Sequence, residues 1–411
     1  MWLKNLVFIV LCVTGLAALA ASLAPVHRTA DNRRPRPDPM AADPMAANRP
    51  SDAEIASFAG KIDKAFQADW AAAQLTPAPP ADDLTVVRRL SLGLLGAIPS
   101  LEEIRQFEQD KTAGRLDRWL ENILNDRRCH DYLAERLTRA FVGVQEGPFI
   151  IYRRRRFVAW LTDQLAANRP YDEIVRQLLT DSGVWTDKPA TNFITVTIKP
   201  EAQKGPDEGE LAARVSRAFL GLRLDCAECH DHPFQPWKQR DFQGLAAFFG
   251  QTKQRGLQGI VDTAGEYKVQ NRLTLAEEAI APCVPFQAEL LPKSGTRRRQ
   301  LAAWLTHPEN RAFARAAANR FWAELFGRPL VEPIDDIPAA GDSSAGDSTA
   351  FDSSADEPPA ALELLAADFI SHGYDLRRLI RAIAATRVFR LAGGGAGAAP
   401  PFEVTHRHEA A

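Results

Sequence analysis

Amphipathic helical segments follow one another along most of this chain, and this pattern limits the folds that it can adopt. Two segments begin with capping boxes, Ser51 with Glu54 and Ser100 with Glu103, in which the serine caps the helix and the glutamate reaches back. Further helical patterns run over 83–95, 115–125, 128–143, 153–168, 171–181, 207–223 and 235–249. An Ala-rich composition with only five Tyr and three Met agrees with a mainly α-helical protein.

Strand patterns are few. FITVTI at 193–198 is the clearest, and EYKVQNRLTL at 266–275 is weaker. We therefore expect a minor β element in a mainly helical protein, with strands in a connector over 256–296.

The helical segments divide into two predicted domains. The first covers 51–255, and the second covers 297–390, where helical patterns resume after the connector. A Ser-, Asp- and Gly-rich insert at 339–360 and the tail from 391 to 411 have the composition of disordered segments. With 411 residues, the chain has ample material for two hydrophobic cores.

The N-terminus has the features of an export signal. An uncharged apolar run extends from Leu6 to about Val26 and ends in small residues, as a cleavable signal peptide does, yet it is also long enough to span a bilayer. Residues 1–26 are thus predicted to be a signal peptide or membrane anchor, and the Pro- and Ala-rich residues 27–50 a flexible linker. We expect a periplasmic or otherwise extracytoplasmic protein, tethered to the inner membrane by residues 6–26.

The charge and the motif content exclude several classes of function. Fifty basic residues nearly balance 52 acidic ones, so the chain has no overall field that would attract nucleic acid. The sequence also lacks a phosphate-binding loop, a dinucleotide fingerprint, a nucleophile elbow and a zinc-protease motif. It assigns no reaction and leaves open whether the protein is an enzyme.

The stretch LDCAECHDHPF, residues 224–234, contains the motif most directly linked to chemistry. Cys226, Cys229 and His230 have the Cys-x-x-Cys-His spacing of covalent c-type haem attachment. On a helical turn these positions share one face, so two thiols can reach the haem vinyl groups while the histidine ligates the iron. The motif predicts haem c as the cofactor and His230 as the proximal iron ligand.

Other interpretations of this motif stay open. Cys226, Cys229, His230 and His232 could hold zinc, although four ligands within seven residues are close together for a tetrahedral site. The cysteines could also form a structural disulfide, pack without a ligand, or act in thiol–disulfide exchange, for which the usual strand–helix setting is absent. An oxidising compartment outside the cytoplasm favours haem over reduced, zinc-bound thiols.

A sixth iron ligand would have to be sought among the histidines, because all three Met precede residue 50. The candidates are His130, His232, His307 and His372, and an open coordination position is the other option. His232 is only two residues from His230 and is poorly placed to reach the opposite face of the same iron. We expect His307 to lie in a turn and His372 to end a helix.

Weaker signals come from the remaining cysteines and from paired carboxylates. Cys129 and Cys283 are expected to be either a disulfide or two buried thiols. The adjacent acids Asp335 and Asp336 do not share a helix face, and we interpret them as helix-terminal rather than catalytic.

Several longer stretches resemble a known pair of domains. LDCAECHDHPFQPWKQRDFQGLAAFF, with VVRRLSLGLLGAIPSLEEI and RPYDEIVRQLLT, resembles the planctomycete cytochrome-associated domain of unknown function. LAAWLTHPENRAFARAAANRFWAELFGRPLVEPIDD, followed by DFISHGYDLRRLIRAIAATRVFR, is similar to the companion domain that ends such proteins. The resemblance covers roughly 83–250 and 297–390, and we expect the second domain to be incomplete.

This resemblance implies an exported, often sulfatase-associated protein with a haem site at Cys226, Cys229 and His230. We expect electron transfer or redox support of an extracytoplasmic system, with a redox partner protein and the membrane as partners. A link to polysaccharide- and sulfate-ester-degrading machinery rests on family association alone. The alternative is a non-enzymatic scaffold or binding module in which the motif is a structural disulfide or zinc site.

Overall fold

The computed structural model describes residues 51–144, 151–199, 205–233, 235–270, 275–338 and 358–393. From Ser51 onward these residues belong to one compact unit, and buried apolar side chains from both predicted domains join one core. The division into two domains stays a prediction from the sequence. The predicted signal or anchor, the linker, most of the insert (339–357) and most of the tail (394–411) lie outside the described residues.

The protein is mainly α-helical, as predicted, with fourteen α-helices in the described part of the chain. They are α1 (Asp52–Ala72), α2 (Asp83–Leu95), α3 (Leu101–Gln109), α4 (Arg115–Asn125), α5 (Arg127–Val142), α6 (Arg154–Ala166), α7 (Tyr171–Thr180), α8 (Asn192–Thr195), α9 (Glu208–Val215), α10 (Gln239–Ala246), α11 (Arg297–Leu305), α12 (Arg311–Phe326), α13 (Ala360–Ser371) and α14 (Leu376–Ala385). None of these described helices is both long and apolar enough to cross a membrane.

Local capping explains why α3 begins where it does. The Ser100 hydroxyl accepts a hydrogen bond from the Glu103 amide at 3.2 Å, and the Glu103 carboxylate accepts one from the Ser100 amide at 2.7 Å, which confirms this capping box. The box predicted at Ser51 forms only in half. Ser51 accepts from the Glu54 amide at 3.2 Å, but the Glu54 carboxylate pairs with Arg378 at 3.0 Å instead of reaching back.

Helices from the two ends of the chain pack against each other. Helix α1 contacts α13 and α14, α2 contacts α12, and α7 contacts α11. Gly93 permits the close approach of α2 to α12, because a Cβ at this position would lie only 2.7 Å from the carbonyl oxygen of Glu324. Fully buried Phe313, Trp304 and Trp322 fill the shared core, so the second predicted domain packs directly on the first.

Two antiparallel hairpins form the minor β element. Strand β1 (Thr252–Arg255) pairs with β2 (Gly259–Asp262), and β3 (Tyr267–Gln270) pairs with β4 (Glu277–Ile280). The weaker strand pattern at 266–275 is therefore present as β3, and the predicted connector does contain strands.

The prediction of a strand at 193–198 is wrong, because this stretch begins in the short helix α8. The side chain of Asn192 stabilises this helical turn through hydrogen bonds to the backbone of neighbouring segments. Its side-chain nitrogen donates to the carbonyls of Trp185 at 3.0 Å and Pro189 at 2.8 Å, and its oxygen accepts from the amide of Arg153 at 2.6 Å. The β-branched residues that suggested a strand are buried against helices, where packing outweighs strand propensity.

Candidate functional site

The Cys-x-x-Cys-His motif lies in an exposed turn. Residues Leu224–Ala227 form one short 3-10 helix, and the chain then bends before α10 begins. Cys226, Cys229 and His230 are all exposed, and both cysteines are free thiols. Two thiols and one imidazole are thus accessible to solvent within a single turn. We call residues 224–238 the CxxCH loop; Phe234 within it lies outside the described residues.

Buried side chains and backbone hydrogen bonds hold the base of the CxxCH loop. Leu224, Ala227 and Trp237 are buried, although the cysteines between them are exposed. The His232 amide donates to the carbonyl oxygen of Trp237 at 2.8 Å and closes the second half of the loop. The indole nitrogen of Trp237 donates to the side-chain oxygen of Gln235 at 2.8 Å. The loop is therefore anchored at both ends and exposed at its middle.

Two arginines just before the motif are paired with aspartates. Arg217 donates to Asp225 at 2.9 Å and to Asp335 at 3.3 Å, and Arg223 donates to Asp335 at 2.8 and 3.1 Å. The hydrogen bond with Asp225 is the main cause that raises the pKa of Arg217, and the one with Asp335 does the same for Arg223. The charges beside Cys226 are thus balanced.

Asp335 and Asp336 come from the turn that follows α12, so their interpretation as helix-terminal residues is wrong. Asp336 accepts a hydrogen bond from the side-chain nitrogen of Gln235 at 3.0 Å. Sequence reasoning missed their role because the partners are about 100 positions away along the chain. The stretch PIDDIP carries no local pattern that would identify those partners.

His230 makes a backbone hydrogen bond through one of its two ring nitrogens. Its Nδ1 lies 2.6 Å from the carbonyl oxygen of Asp231. A carbonyl only accepts hydrogen bonds, so Nδ1 carries the proton in this contact and Nε2 keeps its lone pair. Proteins commonly orient a histidine ligand by a hydrogen bond from its non-ligating nitrogen to a carboxylate, a backbone carbonyl or water.

The four other candidate histidines lie in different settings. His130 is buried in α5, where its Nε2 lies 3.0 Å from the carbonyl oxygen of Leu124. His307 lies in the turn between α11 and α12, and His372 caps the C-terminus of α13, as predicted for both. His232 accepts a hydrogen bond from the Gln235 amide at its Nδ1.

No group of three or more His, Cys, Asp or Glu side chains in the described part of the chain is arranged to hold a metal ion. The structure therefore does not bring Cys226, Cys229, His230 and His232 together as a tetrahedral set.

Cys129 and Cys283 are both free thiols. Of the two expectations for this pair, the disulfide is therefore not formed in the structure. Burial raises the pKa of Cys129 to about 12, and it also raises the pKa of Cys283. Thiols that stay protonated at neutral pH are poor nucleophiles. Cys129 and Cys283 are therefore poorer nucleophiles than an unperturbed thiol.

A small cavity of about 20 Å³ lies elsewhere in the molecule, where α5 and α14 meet. Its lining includes Cys129, His130 and Arg377, with apolar side chains as most of the wall. A volume of this size accommodates about one water molecule. The cavity is not lined by the CxxCH loop and does not extend the site.

Two family models match the chain, in the order that the sequence predicted. Residues 61–254 match PSCyt2, described as a protein of unknown function (DUF1549), and residues 297–394 match PSD1, described as a protein of unknown function (DUF1553). The CxxCH loop lies in the first match, and Asp335 and Asp336 lie in the second. No curated protein and no solved structure matches the chain.

Proposed function

We propose that this chain, which belongs to the PSCyt2 (DUF1549) and PSD1 (DUF1553) families, is a c-type haem protein that transfers electrons outside the cytoplasm. Cys226 and Cys229 would be joined to the haem, and His230 would be the proximal iron ligand. The observation that carries the proposal is that two free, exposed thiols and one exposed imidazole, whose Nδ1 is hydrogen-bonded to the backbone, share a single turn.

The donor set of the CxxCH loop fits covalent attachment. Each cysteine thiol would add across one haem vinyl group, so that a carbon–sulfur bond would form while the thiol hydrogen would pass to the other vinyl carbon. This addition consumes no external oxidant or reductant, but both thiols must be reduced and accessible. Cys226 and Cys229 meet both conditions.

His230 would act through its Nε2. The hydrogen bond from Nδ1 to the carbonyl of Asp231 limits rotation of the ring and leaves Nε2 as the nitrogen that can bind a metal. Asp231 is itself held in place, because its carboxylate accepts from the backbone amide of Gln239 at 2.9 Å, at the start of α10. The imidazole is thus held by a contact within the CxxCH loop, which is itself tied to the start of α10.

Exposure of the site favours electron transfer over catalysis in a closed pocket. Cys226, Cys229 and His230 are all accessible to solvent, so a group attached there would present an edge to a docking redox protein. Attachment of this kind belongs to compartments outside the cytoplasm, which agrees with the apolar run at residues 6–26 acting as a signal or membrane anchor.

Covalent haem in the denatured full-length chain would test the proposal directly. The chain is expressed in a bacterial host with a c-type cytochrome maturation system, separated under denaturing conditions and stained for haem peroxidase activity. We expect the wild-type chain and the control Cys283→Ala to retain haem, and the double variant Cys226→Ala/Cys229→Ala to lose it. A pyridine haemochrome spectrum would count the thioether bonds.

A folded wild-type chain without haem would overturn the proposal and favour the alternative, a scaffold or binding module. Counting thiols in that sample with and without reductant would then distinguish a disulfide between Cys226 and Cys229 from free thiols. Elemental analysis of the same sample would detect zinc.

A further inference from the structure

The short segment Asp335–Ile337 docks against the start of the CxxCH loop. The backbone amide of Ile337 donates to the carbonyl oxygen of Gly221 at 2.7 Å, three residues before the loop begins. The Asp335 carboxylate accepts hydrogen bonds from Arg223, directly before the loop, and from Arg217. One backbone contact and one carboxylate therefore fix the chain where it enters the loop.

The same segment also contacts the far end of the CxxCH loop. The Asp336 carboxylate accepts a hydrogen bond from the side-chain nitrogen of Gln235 at 3.0 Å, while the side-chain oxygen of Gln235 accepts from the indole of Trp237. These two hydrogen bonds set the orientation of the side-chain amide group of Gln235. Three consecutive residues, Asp335 to Ile337, thus bind both ends of the loop, and Cys226, Cys229 and His230 lie between the two anchor points.

We propose that Asp335 and Asp336 are positioning residues that keep Cys226, Cys229 and His230 presented together at the surface. The PSD1 region would then complete the site carried by the PSCyt2 region, and the two families would form one functional unit. This inference rests on the proposed function in one respect only, namely that haem is the group bound by the two thiols.

Charge balance supports a specific role for Asp335. In the described part of the chain, Asp335 is the carboxylate paired with Arg223, whereas Arg217 has Asp225 as a second partner. Loss of the Asp335 charge therefore leaves Arg223 without an ion-pair partner directly before the loop. The side chain of Asp335 is 19% exposed and that of Arg223 is 36% exposed, so water replaces the lost contact only in part.

Hydrogen exchange in the full-length, haem-free protein would test the inference without depending on haem. The variants are Asp335→Asn and Asp336→Asn, with Asp335→Glu as the conservative variant. Asp117→Asn is the control, because Asp117 forms an exposed ion pair with Arg390 and does not contact the loop. We expect amides of residues 224–238 to exchange about tenfold faster in Asp335→Asn, as for the loss of one charge-assisted contact, while Tm falls by only a few degrees.

The remaining results of this experiment separate positioning from general stability. Asp335→Glu should restore slow exchange in the loop, and Arg223→Ala should add little to Asp335→Asn because both remove the same contact. In the haem-loaded chain, Asp335→Asn should lower haem occupancy at equal protein yield. Loop exchange that is equal in Asp335→Asn, Asp117→Asn and the wild type would overturn the inference, whether or not haem is bound.

Discussion

The backbone amide of Ile337 lies 2.7 Å from the carbonyl oxygen of Gly221 and donates a hydrogen bond to it. Gly221 belongs to the PSCyt2 match and Ile337 to the PSD1 match. A Cβ at Gly221 would lie 2.8 Å from Cδ1 of Ile337, so the contact depends on the absence of a side chain there. The two matched regions are in direct contact just before the CxxCH loop.

Gly221→Ala should destabilise the protein more than Gly327→Ala does. Both glycines have a left-handed backbone, with φ of 65° and 74°, but only Gly221 faces a neighbour, whereas a Cβ at Gly327 meets nothing within 4 Å. We expect both variants to lose about 1–2 kcal/mol through backbone strain. Gly221→Ala should lose an additional ~1 kcal/mol or more through the clash with Ile337. Urea unfolding measures the free energy of unfolding of both variants. Equal losses in the two variants would contradict the close packing of Ile337 against Gly221.

Gly93→Ala should also destabilise, although its backbone is ordinary helix. The added Cβ would lie 2.7 Å from the carbonyl oxygen of Glu324 and push α2 away from α12, at a cost of about 1–3 kcal/mol. Gly60→Ala in α1 is the matched control, because a Cβ there meets nothing within 4 Å. This control should gain up to about 1 kcal/mol from helix propensity. Thermal unfolding that ranks the two variants in the opposite order would contradict the packing.

Features with local causes could be predicted from the sequence. The capping box at Ser100 forms as predicted, because its donors and acceptors lie within four residues. The box at Ser51 formed only in half, since Arg378, more than 300 residues away, takes the Glu54 carboxylate. A short-range pattern cannot show that a distant partner competes for the same group.

The errors have the same origin. FITVTI has strand propensity, but contacts of Asn192 with Trp185 and Pro189 hold it in a helix. In the candidate site, the Cys-x-x-Cys-His spacing pointed to residues 226–230, but neither their exposure nor the role of Asp335 could be assigned from the sequence. Its role depends on a fold that brings the turn after α12 to the CxxCH loop.

Asp368→Asn should cost about 3 kcal/mol of unfolding free energy, because it removes one partner of a buried ion pair. Asp368 accepts from Arg378 at 2.9 Å, and the two side chains are 9% and 4% exposed. Asp117→Asn removes an exposed pair and should change the unfolding free energy by no more than about 0.5–1 kcal/mol. Chemical denaturation measures the unfolding free energy of both variants. Similar small losses in Asp368→Asn and Asp117→Asn would contradict the expectation and show that Glu54 alone compensates the charge of Arg378.

Stability should fall below neutral pH through His130. Burial lowers the pKa of this imidazole from its ordinary value of 6.5, and the nearby Arg377 and Arg127 act in the same direction. Below 6.5 the unfolded chain therefore binds a proton that the folded chain still excludes. The unfolding free energy then decreases as pH falls through this range and increases as pH rises.

His130→Gln should weaken this pH dependence, because its amide can still donate to the Leu124 carbonyl but does not titrate. Urea unfolding between about pH 7.5 and 5 measures the slope in the wild type and in the variant. His307→Gln, in a turn, serves as the control and should leave most of the slope in place. An unchanged slope in His130→Gln would assign the acid sensitivity to other groups.

The most direct test of covalent attachment is the mass of the tryptic peptide 224–238, taken from the full-length chain after expression with a cytochrome c maturation system. Cleavage after Arg223 and Lys238 isolates both cysteines and His230 in one fragment. The proposal predicts a peptide that carries one haem bound through Cys226 and Cys229, and that resists reduction. A peptide with two free thiols, or with a reducible disulfide between them, would contradict it.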